Sequence, residues 1–216
     1  MPPDSPPRID SGTTTLGALL DGPREDVVVL TPSGPWTRRT LSEAADAGAK
    51  ALEEAGVAGG TVHAIDARPD VDTLVTLLAL WRLGAIPALL HPGLTRPEWT
   101  AGIEALSDAG RVGDIPEGTA AILWTSGTSG RPRGVALGHA GLIANAEAAA
   151  ERLSLSPEDV WLATLSPAHV GGLALMTRAL LLGSTLVLRG KTNPEEIPDL
   201  LRGSPTTPPV THLSLV

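Results

Sequence analysis

Two helical segments in this chain lack a polar face, and that constrains the fold more than any other feature. Residues 71–83 (V-D-T-L-V-T-L-L-A-L-W-R-L) are apolar almost all round and stop at Gly84. Residues 171–182 are mostly apolar and stop at Gly183. A helix without a polar stripe must be covered on most sides. Each is followed at once by a short apolar run of strand length, 86–90 and 184–188. Further strands are expected at 27–30, 61–65, 120–124, 135–137, 160–164 and 210–216, with residues 36–40 pairing back on the first as a hairpin. Further helices are expected from Thr40 or Ser42 to Gly56, and over 96–110, 139–153 and 194–202. Strands alternating with helices predict an α/β fold, with mostly parallel sheets covered by helices on both faces.

Composition narrows the partners. The chain carries a formal net charge of -8 and contains no Phe and no Tyr, which argues against nucleic acid. It has no Cys, hence no disulfide framework and no thiolate metal site, and its five His show no metal-ligand spacing. The apolar stretch 74–90 is interrupted by Arg82, Gly84 and Pro87, so no membrane span is expected. The start, M-P-P-D-S-P-P, lacks the pattern of a signal peptide. Residues 1–12 are expected to form a disordered leader, and the location to be cytoplasmic.

The chemistry gathers in 120–137, A-A-I-L-W-T-S-G-T-S-G-R-P-R-G-V-A-L. An apolar run gives way to Thr125, Ser126, Gly127, Thr128, Ser129 and Gly130, then Arg131 and Arg133 flank Pro132. Small hydroxyl residues and glycines cannot build a core, but they can turn hydroxyls and backbone N–H groups towards one ligand. Although the chain is acidic, no Asp or Glu occurs from Gly118 to Ala146. Such a loop suits an anion, phosphate above all. A surface turn would share the composition, but this one lies between two apolar runs. The G-x-x-x-x-G-K-[ST] loop fails because the position five after Gly127, where its second glycine should stand, is Pro132. The G-x-G-x-x-G and G-x-S-x-G patterns fail as well.

W-T-S-G-T-S-G-R-P-R-G-V resembles the phosphate-loop motif T-S-G-T-T-G-x-P-K-G-V of the AMP-forming, acyl-adenylate-forming ligases. Ser129 stands for the second Thr and keeps its hydroxyl. Arg133 stands for the Lys and keeps the charge as a planar fork. The segment L-S-P-A-H-V-G-G-L (165–173) resembles the family's next motif, L-P-x-x-H-x-x-G-L. Within the family, T-H-L-S-L-V (211–216) and A-H-V-G-G-L look most like the o-succinylbenzoate–CoA ligases.

The resemblance implies a reaction, its partners and its site. The reaction is activation of a small-molecule carboxylic acid by ATP, with Mg²⁺ brought by the ATP, then thioester formation with CoA as co-substrate. Thr125, Ser126, Gly127, Thr128, Ser129, Gly130 and Arg133 would hold the phosphates. His169 would be catalytic, and with Gly171 and Gly172 would line the carboxylate pocket. Read from chemistry alone, His169 is a helix cap or loop-bonded residue, and the two glycines are a tight turn. The resemblance casts 13–216 as the first part of the large N-terminal domain. The family's later motifs, including the ribose-holding aspartate and the C-terminal lysine, are not in this sequence, so an incomplete enzyme is expected. A homo-oligomer is compatible with an unpaired edge at 210–216. A non-catalytic ATP-binding module is the alternative. A serine amidase would need an upstream lysine, and Lys50 is the only one.

Overall fold

The computed structural model describes residues 15–20, 25–108, 115–125, 133–204 and 207–214. The expected leader lies outside them, as do Ser126, Gly127, Thr128, Ser129 and Gly130 of the loop and the last two residues of the expected strand 210–216.

After a 3-10 turn at Leu16–Ala18, the chain runs β1 (Val27–Thr31), β2 (Gly34–Thr37), α1 (Arg38–Glu54), β3 (Val62–Asp66), α2 (Val71–Leu83) and β4 (Ile86–Leu90). It continues with α3 (Arg96–Asp108), β5 (Thr119–Thr125), β6 (Arg133–Gly138), α4 (His139–Leu153), β7 (Val160–Leu162) and α5 (Val170–Leu182). Last come β8 (Thr185–Val187), a 3-10 turn at Pro194–Glu196, α6 (Ile197–Arg202) and β9 (His212–Leu213). The strands form two sheets, β2-β1-β8-β7-β9 and β3-β4-β5-β6. Pairing is parallel except for β1 with β2 and β5 with β6. The α/β class with mostly parallel sheets is therefore what the fold shows.

The two apolar helices are buried as their composition requires. One continuous core joins Leu74, Leu77 and Trp81 of α2, Leu173, Leu175 and Met176 of α5, Leu41 of α1 and Leu142 of α4. The same core includes Val28 and Leu186 of one sheet and Leu89 and Leu123 of the other. Trp81 also donates its Nε1–H to the Ala120 carbonyl at 2.7 Å, tying α2 to β5. Both helices end on glycines in left-handed backbone, Gly84 at φ 67° and Gly183 at φ 73°, a conformation that costs glycine little.

The structure corrects some boundaries. Helix α1 begins at Arg38, not at Thr40 or Ser42, and β2 ends at Thr37. The reason is a reciprocal cap: the Thr37 hydroxyl accepts the Thr40 N–H, and the Thr40 hydroxyl accepts the Thr37 N–H. That cap satisfies two helix-end donors and turns Thr40 from strand into first turn. Strand β7 stops at Leu162, and α5 starts at Val170.

Candidate functional site

Strands β5 and β6 form an antiparallel hairpin in which Thr125 pairs with Arg133. The seven residues 126–132 therefore bridge one strand end to the next strand start. Residues Ala120, Ala121, Ile122 and Leu123 of β5 are buried, which pins the incoming stem. On the outgoing stem, Gly134 lies against Trp124. A Cβ there would be in ordinary contact with the indole at 3.6 Å and tight against Ile122 Cγ2 at 3.1 Å, so the strand is packed closely against both side chains. Arg133 is exposed at the stem. Thr125 and Arg133 thus hold the two ends of the loop at the carboxyl edge of the β3-β4-β5 parallel group, where open α/β sheets receive ligands.

His169 comes to this edge from the other sheet. It occupies the N-cap position of α5 but makes no side-chain cap bond, and its ring is exposed. The loop before it is fixed by Ser166, whose Oγ donates to the Ala67 carbonyl at 2.6 Å and accepts the Ala168 N–H at 3.1 Å. Ala67 in turn donates its N–H to the Leu90 carbonyl at the end of β4. This relay from α5 to β3 to β4 brings the His169 ring to 5.2 Å from the His91 ring, tilted by 58°. His91 follows β4 directly. Leu89 of β4 pairs with Leu123 of β5, so His91 is level with Thr125, each two residues further on.

Gly171 and Gly172 differ. Gly171 is exposed, and a Cβ there would meet only Leu165 Cδ1, at 3.4 Å. Gly172 is buried, and a Cβ there would sit 2.3 Å from the Ser166 carbonyl oxygen. The space beside Gly172 is filled by the chain itself. Gly171 borders the open side, next to His169.

His91 and Ser166 escaped the sequence reading. A usable signal was present for the first: A-L-L-H-P-G places a histidine just past a fully buried strand. Nothing in the sequence marked Ser166 as the tie to Ala67, because its partner is 99 residues away.

A second concavity, a cleft of about 370 Å³, lies at the end of β3, lined by Asp66, Arg68, Asp70, Asp72, Thr73 and their neighbours Ile65 and Thr76. Its arginine is paired with Asp66 at 2.8 Å, and three aspartates make it unsuited to phosphate. Lys50 pairs with Glu54 at 3.9 Å and its side chain is 77% exposed on α1, which argues against a buried catalytic lysine. Among the described residues no group of three His, Asp or Glu could hold a metal ion, and no helix is long and apolar enough to cross a membrane.

The family model for AMP-binding enzymes matches residues 103–216, just over half of the chain. The chain belongs to the AMP-binding enzyme family. The matched span contains the 125–133 loop and His169, and leaves out His91. A 2-succinylbenzoate–CoA ligase of Enterococcus faecalis is 34% identical over 91 residues, which are 42% of this chain and 19% of that protein. One of Bacillus cytotoxicus is 36% identical over 95 residues, 44% of this chain and 19% of that protein. Among solved structures, O-succinylbenzoate coenzyme A synthetase (MenE) from Bacillus subtilis, in complex with AMP, superposes with a TM-score of 0.71 at 21% identity. The superposition covers 82% of this chain and 55% of that one. ATP-bound MatB from Rhodopseudomonas palustris gives a TM-score of 0.72 at 24% identity, covering 88% and 48%. The family member described here thus spans about half the length of these structures and a fifth of the curated relatives' length.

Proposed function

We infer that this chain supplies the phosphate-holding part of an ATP-dependent acid–CoA ligase. The reaction is attack of a carboxylate oxygen on the α-phosphorus of ATP, giving acyl-adenylate and pyrophosphate, then thioester formation with CoA and release of AMP. The observation that carries the reading is the loop's setting: an acid-free T-S-G-T-S-G-R-P-R run whose stems, Thr125 and Arg133, are paired at a sheet's carboxyl edge. Hydroxyls of Thr125, Ser126, Thr128 and Ser129, N–H groups of Gly127 and Gly130, and the Arg133 guanidinium would hold the β- and γ-phosphates. Donors fixed in advance of the reaction stabilise the charge that grows on departing pyrophosphate. Mg²⁺ carried by the triphosphate would neutralise part of that charge; the donors in this loop suit phosphate oxygens rather than a metal. His169 and Gly171 would border the acyl group. The curated relatives' names favour o-succinylbenzoate as the acid, hence menaquinone synthesis, and a cytoplasmic setting where ATP and CoA are at hand.

Titration calorimetry with pyrophosphate and ATP tests the loop. Arg133→Ala should cost about 1.5–3 kcal/mol if one charge-assisted contact is lost, raising Kd roughly 10- to 150-fold. Unchanged affinity refutes the assignment. Pyrophosphate–ATP exchange driven by o-succinylbenzoate, measured on the full-length enzyme that carries the family's later motifs, tests the chemistry. Nucleotide binding without exchange, across a panel of carboxylic acids, would point instead to a non-catalytic ATP-binding module.

A further inference from the structure

The contact between His91 and His169 joins the two sheets, and nothing in the family match accounts for His91, which lies outside it. His91 is held more firmly than its exposure suggests. Its carbonyl accepts the Leu94 N–H at 3.1 Å, and its Nδ1 accepts the Gly93 N–H at 3.0 Å. The second bond puts the ring proton of the neutral imidazole on Nε2. It also fixes the ring over the turn. Gly93 allows this because a Cβ there would stand 3.0 Å from Nδ1. The His169 backbone is fixed too, with its N–H on the Ser166 carbonyl and its carbonyl accepting from Gly172 and Leu173. Its side chain makes no cap bond. One imidazole is therefore anchored and the other is orientable, 5.2 Å apart, beside the stem of the phosphate loop.

We propose that His91 is a positioning residue for His169: its ring, locked on the Gly93 N–H, sets the orientation of the His169 imidazole at the phosphate-loop edge. The proposal rests on the reading of that edge as an ATP-dependent carboxylate-activating site. A side chain that must meet a reacting group gains from being held before the substrate arrives, and small misplacements cost large factors in rate.

Two substitutions separate orientation from turn formation. In His91→Asn the side-chain carbonyl can still accept the N–H two residues on, as in an Asx turn, but the ring is gone. In His91→Ala both are gone. The His169 ring resonances, assigned with His169→Gln, and the tautomer from ¹⁵N shifts give a readout independent of turnover. His91→Asn should keep the wild-type Tm yet shift and broaden the His169 signals as much as His91→Ala does. In the full-length enzyme it should also lower kcat for pyrophosphate–ATP exchange by roughly ten- to a hundredfold with little change in KM for ATP. His169→Ala should reciprocally shift the His91 signals, which keeps the test alive if either His91 variant fails to fold. If His91→Asn restores both the signals and kcat while His91→Ala does not, His91 only forms the turn and the proposal is wrong. His169 signals unmoved by either variant refute it equally. If the full-length enzyme, carrying the family's later motifs, shows no exchange with any acid, the ligase reading fails, while the resonances still decide whether His91 orients His169.

Discussion

Replacing Gly172 by alanine sets two effects of opposite sign against each other, and the structure decides between them. Gly172 is the third residue of α5, with a backbone outside the left-handed region. On helix propensity alone, alanine should gain about 1 kcal/mol. The added Cβ, however, would lie 2.3 Å from the Ser166 carbonyl oxygen, 2.6 Å from its carbon and 2.7 Å from the Leu165 carbonyl oxygen. All three are backbone atoms, so no side chain can swing aside. Relief requires moving the loop that Ser166 ties to Ala67. Overpacking of this kind costs about 3 kcal/mol, leaving a net loss of about 2 kcal/mol once the propensity gain is subtracted. For a chain of this size that corresponds to a fall in Tm of about 4–8 °C. Gly171→Ala is the control. Its Cβ would meet only Leu165 Cδ1 at 3.4 Å, so it should be neutral or stabilise by about 0.4–1 kcal/mol. Scanning calorimetry on both variants checks the pair. A Gly172→Ala protein that melts at or above wild type would refute the claim that the start of α5 is closed by the Ser166 carbonyl.

Ser166→Ala should lower stability by about 1–3 kcal/mol, because the buried Ala67 carbonyl loses its hydroxyl donor; His169→Ala, at an exposed ring without a cap bond, should leave Tm nearly unchanged. Equal losses in urea unfolding would overturn that contrast. His139 carries a pH dependence. Burial holds its imidazole below the usual 6.5, and its Nδ1 accepts the Leu16 N–H at 3.1 Å. The unfolded chain therefore binds the proton more readily than the fold, so stability falls as pH drops below 6.5. His139→Gln should flatten the slope of the urea midpoint between about pH 7.5 and 5.5; an unchanged slope would assign it to other groups.

Much of the architecture was written in local pattern. Helices α2 and α5 announce themselves because an apolar run ended by glycine has few other ways to satisfy its backbone and its side chains. The proposed phosphate loop stands out because hydroxyls, glycines and cations without acids are useless to a core. These are short-range statements, and the sequence states them in full. The start of α1 was misjudged by a few residues because Thr37 and Thr40 cap each other reciprocally, a geometry that spacing alone does not distinguish from a strand end. The pairing of strands into two sheets, by contrast, joins β1 to β8 and β7 to β9 across long stretches of chain. The neighbourhood of His169 is set at the same range: Ser166 reaches Ala67, and the His169 ring meets His91. Such contacts depend on how α2 and α5 pack into a common core, a sum of many burials that no local window contains. The sequence by itself singled out the residues proposed to hold a phosphate. Only the tertiary structure decided that a second histidine stands beside the first, because the two arrive on different sheets.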